Sequence, residues 1–145
     1  KRASKNFSFQ VIGIGIVFNK AGEVLIDQRL NDGFLGGMWE FPGGKKEPNE
    51  NIKETIAREL KEELAIEVEV GEQLISLEHT YSNKKLSFIV HLCTWISGEP
   101  QSLESQQFRW VKPIQLSDYP FPSANAKMIT ALQRFLQKDN SSESL

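Results

Sequence analysis

The sequence predicts an α+β domain built on a mixed β-sheet with two main helices. Three observations predict it: short β-branched runs near the start, a clear amphipathic helical period over residues 51–64, and a long alternating stretch over residues 85–96. A second amphipathic helix closes the chain. At 145 residues the chain is long enough for one compact core and too short for two.

The elements follow in order. Residues 11–18 (VIGIGIVF) are apolar nearly throughout, as in a strand covered on both faces, and Gly13 and Gly15 leave one side open to close packing. Asn19 to Gly22 reads as a turn, and residues 23–29 (EVLIDQR) return as the second arm of a hairpin. Residues 31–44 are rich in glycine and aromatics without a period, which predicts a long functional loop with one short strand over 38–41. In the helix over 51–64, Ile56, Ala57, Leu60 and Leu64 form the apolar stripe. Residues 66–70 and 73–78 read as two strands about a turn at Gly71. Along 85–96, Leu86, Phe88, Val90 and Leu92 share one face, and Ile89, His91, Cys93 and Trp95 the other. Residues 108–111 form another short strand, and Pro120 and Pro122 precede the final helix through Ile129, Leu132, Phe135 and Leu136. The expected limits are a flexible N-terminal segment 1–8, a domain 9–138 and a frayed tail 139–145.

Composition narrows the partners. A net charge of −2 supplies no general basic field, which argues against a nucleic-acid backbone as partner. Cys93 is alone, so no internal disulfide forms, which fits a reducing compartment. No stretch approaches a membrane span, and residues 1–10 lack the apolar core of a signal peptide, so a cytoplasmic protein is expected.

Glu59, Glu62 and Glu63 stand at i, i+3 and i+4, within about 100° of one another around the helix. The apolar stripe is centred about 120° away, so one edge is expected to meet the core and the next to present acid, its carboxylates facing away from the core. Like charges at this spacing repel, and a hard divalent cation reverses the sign. On its own such a run is as ordinary as any solvated acidic helix face, and pairs such as Arg58 with Glu62 supply part of its compensation.

The context is more specific. Residues 44–66 (GKKEPNENIKETIARELKEELAI) resemble the Nudix box, G-x5-E-x7-R-E-U-x-E-E-x-G-U, with U a bulky aliphatic residue. Gly44, Glu50, Arg58, Glu59, Leu60, Glu62, Glu63 and Ile66 match, and only Ala65 departs, where the pattern has glycine. The resemblance implies the Nudix fold, an α/β/α sandwich whose mixed sheet carries a loop–helix–loop metal site and a C-terminal helix. It implies a Mg²⁺ cofactor, for which Mn²⁺ can substitute, held by Glu59, Glu63 and the Gly43 carbonyl, with Glu62 assisting through metal-bound water. Arg58 then orients the neighbouring glutamate, and Glu50 is its structural partner. Glycine at position 65 would serve as the helix C-cap, so alanine there must avoid positive φ or bear a cost of about 1 kcal/mol.

The flanks narrow the subclass. LGGMWEFPGGK (35–45) resembles the segment before the box in MutT-type enzymes, which remove 8-oxo-dGTP from the nucleotide pool. By the same resemblance Arg29 lies near the substrate and Phe41 lines the base pocket. Glu104, in GEPQSLE (98–104), is a candidate base or metal ligand, and Asn125, in FPSAN (121–125), is expected to bond the purine edge. The bland reading of that last run is a proline-rich turn with a helix N-cap. The implied activity is hydrolysis of 8-oxo-dGTP or a related purine nucleotide to monophosphate and pyrophosphate, by a monomer with a small nucleotide as its partner. Two alternatives remain open. LEHTYSNKKL (77–86) also resembles the C-terminal domain of MutY-type adenine DNA glycosylases, which binds 8-oxoguanine without hydrolysis, and another nucleoside diphosphate derivative could be the substrate. His79 and His91 read as structural or surface residues, and Cys93 as core.

Overall fold

The computed structural model describes residues 8–144, with side chains to residue 139. Residues 1–7 of the expected N-terminal segment lie outside the described range, and Ser8 is already the first residue of a strand. The strands are β1 (Ser8–Phe18), β2 (Val24–Gln28), β3 (Trp39–Glu40), β4 (Gly43–Lys45), β5 (Glu67–Tyr81), β6 (Lys84–Ser97) and β7 (Gln107–Val111). The helices are α1 (Ile52–Leu64) and α2 (Ser123–Ser144), with a 3₁₀ turn over Pro113–Asp118.

All seven strands join one mixed sheet. β1 runs parallel to β6 along its whole length, whereas every other pairing is antiparallel. The expected β1–β2 hairpin survives at a single rung, Phe18 opposite Val24. Beyond it the two strands splay, and the segment after the long loop fills the gap. There β3 pairs with the far end of β2, and β4 pairs with the middle of β1. The other edge of β2 is covered by β7.

Helices lie on both faces, as expected for an α/β/α sandwich. α1 packs on the glycine side of β1, where a Cβ on Gly13 would stand 2.9 Å from Ile56 Cγ1 and one on Gly15 3.0 Å from Leu60 Cδ1. Those two glycines set how close the helix comes. Ile56, Leu60, Leu64, Ile66, Val17, Leu25 and Cys93 form the core on that face. α2 covers the opposite face, where Met128 and Leu132 meet Ile14, Ile16, Ile26 and Val90. The two faces read from the alternation in β6 thus serve two separate cores.

Asn51 caps α1 in a capping box: its side chain accepts from the Glu54 amide, and the Glu54 carboxylate accepts from the Asn51 amide, both at 2.9 Å. At the other end Ala65 adopts φ 60°, ψ 33°, so alanine takes the left-handed conformation and bears its cost.

Two expectations change. Gly71 is not a turn: β5 passes through it as one strand, with register shifts between Val70 and Ile75. The bulge is held from β6, where His91 Nδ1 lies 2.7 Å from the Gly71 carbonyl oxygen, giving His91 a structural role. The tail also differs. α2 runs to Ser144, past the expected boundary at 139, because no glycine or proline interrupts residues 123–144. Among the described residues no helix is long and apolar enough to cross a membrane.

Candidate active site

Arg58, on the outer edge of α1, binds the Glu50 carboxylate with two donors, Nη2 to Oε1 at 2.6 Å and Nε to Oε2 at 2.9 Å. Its Nη1 reaches Glu59 at 3.1 Å and Glu62 at 3.2 Å, and Nη2 also donates to the Lys45 carbonyl at 3.0 Å. One guanidinium thus ties the loop before the helix to two helix carboxylates. The Glu50 carboxyl is held down to about 2, first by its bond from Arg58 and next by the Glu47 amide, and Thr55 adds a hydroxyl bond at 2.8 Å. The pairing expected of Arg58 and Glu50 is the geometry found.

Glu59 lies against Gly44 so closely that a Cβ there would overlap its carboxylate. Its pKa is raised, chiefly by burial, with the charges of Glu62 and Glu104 adding to the effect against Arg58.

The three box glutamates do not share one open face. Glu62 is exposed and turned to Arg58, whereas Glu63 is only 8% exposed and points inward. A 100° step per residue leaves Glu63 next to the apolar stripe, and the edge of β2 and β3 closes over it. There it meets two acids that were not expected in the site, Asp27 and Glu40, which are directly opposed across the β2–β3 pair. Carboxylate oxygens of Asp27, Glu40 and Glu63 lie within 4.8 Å of one another. Burial, then the charges of Asp27 and Glu40, push Glu63 up to about 10; burial, then Glu40, push Asp27 up to about 8. Glu40 is also raised by burial, against the pull of Arg29, whose Nη1 bonds it at 2.8 Å.

The signal for Asp27 was present in the sequence. In VLIDQ, Leu25 and Asp27 share the face that packs on α1, so an acid occupies a core position.

A cavity of about 280 Å³ runs from this acidic end to the start of α2. Gly43, Gly44, Lys45, Glu40 and Arg29 line one end, and Asn125, Ala124 and Met128 the other, with Ile12, Ile14 and Phe88 between. Arg29 is already engaged, by Glu40 and by the Phe34 carbonyl at 3.0 Å from its Nε. Phe41 borders the cavity but is 1% exposed and packs on Phe121 at 5.5 Å, so it is mainly wall. Asn125 is 7% exposed, and its Nδ2 reaches only Met128 Sδ, at 3.8 Å. It lies in the first turn of α2 with its amide turned to the cavity residues rather than capping the helix. Glu104 is exposed in the loop before β7 and borders a smaller hollow with Arg29 and Glu40. Its charge raises both Glu59 and Glu63.

A loop–helix–loop with this Arg58 network, on this sheet, defines a family. The chain matches the NUDIX domain over residues 13–131 and belongs to that family. It is a Nudix pyrophosphohydrolase. It is 34% identical over 122 residues to the CTP pyrophosphohydrolase of Escherichia coli strain K12, covering 81% of this chain and 87% of that one. To the 8-oxo-dGTP diphosphatase of Haemophilus influenzae it is 35% identical over 121 residues, covering 83% and 89%. Among solved structures, the MutT protein from Methanosarcina mazei Go1 superposes with a TM-score of 0.78 at 26% identity, covering 92% of this chain and 96% of that one.

Proposed function

We propose that this enzyme is a Mg²⁺-dependent nucleoside triphosphate pyrophosphohydrolase of MutT type, acting as a monomer on 8-oxo-dGTP or a related purine nucleotide to give the monophosphate and pyrophosphate. One observation carries the reading: a single cavity joins an apolar chamber lined by Asn125, whose amide reaches only a sulfur, to the box glycines Gly43 and Gly44 and to Glu40, one of three clustered carboxylates. A base fits the first end and a charged polyphosphate requires cations at the second.

The donor set fits a hard divalent cation. Glu59 and Glu63 are oxygen donors whose anionic forms are disfavoured by burial and by neighbouring carboxylates, which a cation reverses. Glu59, Glu63 and the Gly43 carbonyl would hold it, with Glu62 assisting and Glu104 as a further ligand or the base. When bound, Mg²⁺ supplies neutralisation of phosphate charge and a more acidic water. The protein's own part is positioning. Arg58, anchored by Glu50, fixes the Glu59 carboxylate against Gly44, and Arg29 sits where a phosphate can exchange with Glu40 for its guanidinium. Asn125 offers both donor and acceptor to a base edge, while Phe41 adds wall area.

A binding-only glycosylase domain has no need of Glu59, Glu62 and Glu63 together. The similarity to a CTP pyrophosphohydrolase favours a second reading, a pyrimidine triphosphate in the same cavity. Steady-state kcat/KM for 8-oxo-dGTP, dGTP and CTP decides between them. The highest value for 8-oxo-dGTP is expected, and a higher value for CTP overturns the purine assignment.

A further inference from the structure

Asp27 is not among the residues of the box, yet it is 2% exposed and its Oδ1 has no hydrogen-bond partner. Ser105 Oγ, in the loop before β7, is also buried; it lies near enough to favour the Asp27 anion but makes no well-formed hydrogen bond. Buried polar atoms without partners are rare and costly, and like charges directly opposed across a strand pair add to the cost. Asp27 and Glu40 are such a pair, and Glu63 descends on them from α1.

The nearby cations do not balance this group. Arg29 bonds Glu40, and Arg58 is committed to Glu50, Glu59 and Glu62. Arg29 offsets one carboxylate of the three, and one divalent cation would offset the other two in their ionised forms. All donors are carboxylate or hydroxyl oxygens, the set that selects Mg²⁺, Mn²⁺ or Ca²⁺ over softer metals. Glu40 lines the main cavity and the hollow beside Glu104, so a route from solvent exists.

We infer that Asp27, Glu40 and Glu63 form an interior divalent-cation site beneath the box, distinct from the site that includes Glu59 and joined to it through Glu63. The inference rests on the metal-dependent reading above only in sharing Glu63. Ser105 stands as an additional oxygen donor beside Asp27. The interior cation fixes the β2–β3 edge against α1, and so sets the position from which Glu63 serves the outer site.

Mn²⁺ titration without nucleotide tests it, with free Mn²⁺ counted by electron paramagnetic resonance on wild type, Asp27→Asn, Glu40→Gln and Glu59→Gln. Two sites are expected in the wild type. Asp27→Asn and Glu40→Gln should each weaken one of them tenfold or more and leave a second in place. Glu59→Gln should leave the interior site intact. Thermal melts check each fold, and if Asp27→Asn fails to fold, Glu40→Gln decides, since Glu40 is partly exposed. Wild-type stoichiometry and affinity in the folded variants overturn the inference, as does a single wild-type site that Glu59→Gln removes. Turnover of the same wild-type sample with and without Mg²⁺ keeps the two readings apart: metal-independent turnover overturns the proposed function, whereas the Mn²⁺ count alone decides the interior site.

Discussion

Replacing Asn125 by alanine removes an amide that does almost nothing for the fold. Its one side-chain bond is a 3.8 Å contact from Nδ2 to the Met128 sulfur, a weak acceptor. Truncation should therefore cost the fold at most about 1 kcal/mol, a fall in Tm of no more than about 4 °C for a chain of this size. The substrate should lose far more. One or two buried hydrogen bonds to a base edge, at about 1–1.5 kcal/mol each, correspond to a rise in KM of roughly tenfold to a hundredfold. Turnover at saturation should change little, because the carboxylates lie at the other end of the cavity. Steady-state kinetics with 8-oxo-dGTP and a thermal melt on the same preparation give both numbers. An unchanged KM beside a large loss of Tm would refute base recognition by Asn125.

Three further outcomes follow from the helix and its loops. Ala65→Gly relieves a left-handed alanine at about 1–2 kcal/mol but adds about 0.4–1 kcal/mol of unfolded-state freedom, so Tm should rise slightly with kcat unchanged; a clear fall contradicts the strain. Glu50 carries a pKa lowered from 4.5 to about 2, so the Arg58 pairing contributes stability that is complete above pH 4.5 and lost as pH falls through 2. Melts of Glu50→Gln should accordingly lie below wild type at pH 7 and converge with it near pH 2. Gly44→Ala places a Cβ where the Glu59 carboxylate lies, and should lower kcat at least tenfold with little change in Tm; full activity would show that Glu59 need not rest there.

Much of this was legible in the chain. α1 announces itself by its period and by Asn51 and Glu54, and its role by the match from Gly44 to Ile66, because local spacing determines what a single helix presents. The Arg58–Glu50 pair follows from the same match. What could not be read depends on long-range pairing. β3 lies within the short strand expected over 38–41, but its partner was not readable, and β4 is only three residues long with a different partner, so no period marks it. Their insertion between β1 and β2 brings Glu40 opposite Asp27 and buries Glu63, which helical spacing alone placed on an open face. Gly71 reads as a turn because a bulge and a turn share glycine, and only the His91 contact from β6 tells them apart. Asp27 left one trace, an acid at a core position of a strand, and its meaning needed the other two carboxylates.

Metal-dependent pyrophosphohydrolysis is tested most directly by the products of purified enzyme acting on 8-oxo-dGTP, assayed for pyrophosphate and orthophosphate with Mg²⁺, with chelator, and with Mg²⁺ restored. Monophosphate and pyrophosphate in equal amounts, no turnover under chelation, and recovery on adding Mg²⁺ or Mn²⁺ are expected. Orthophosphate as the primary product, or turnover that persists without metal, would contradict it.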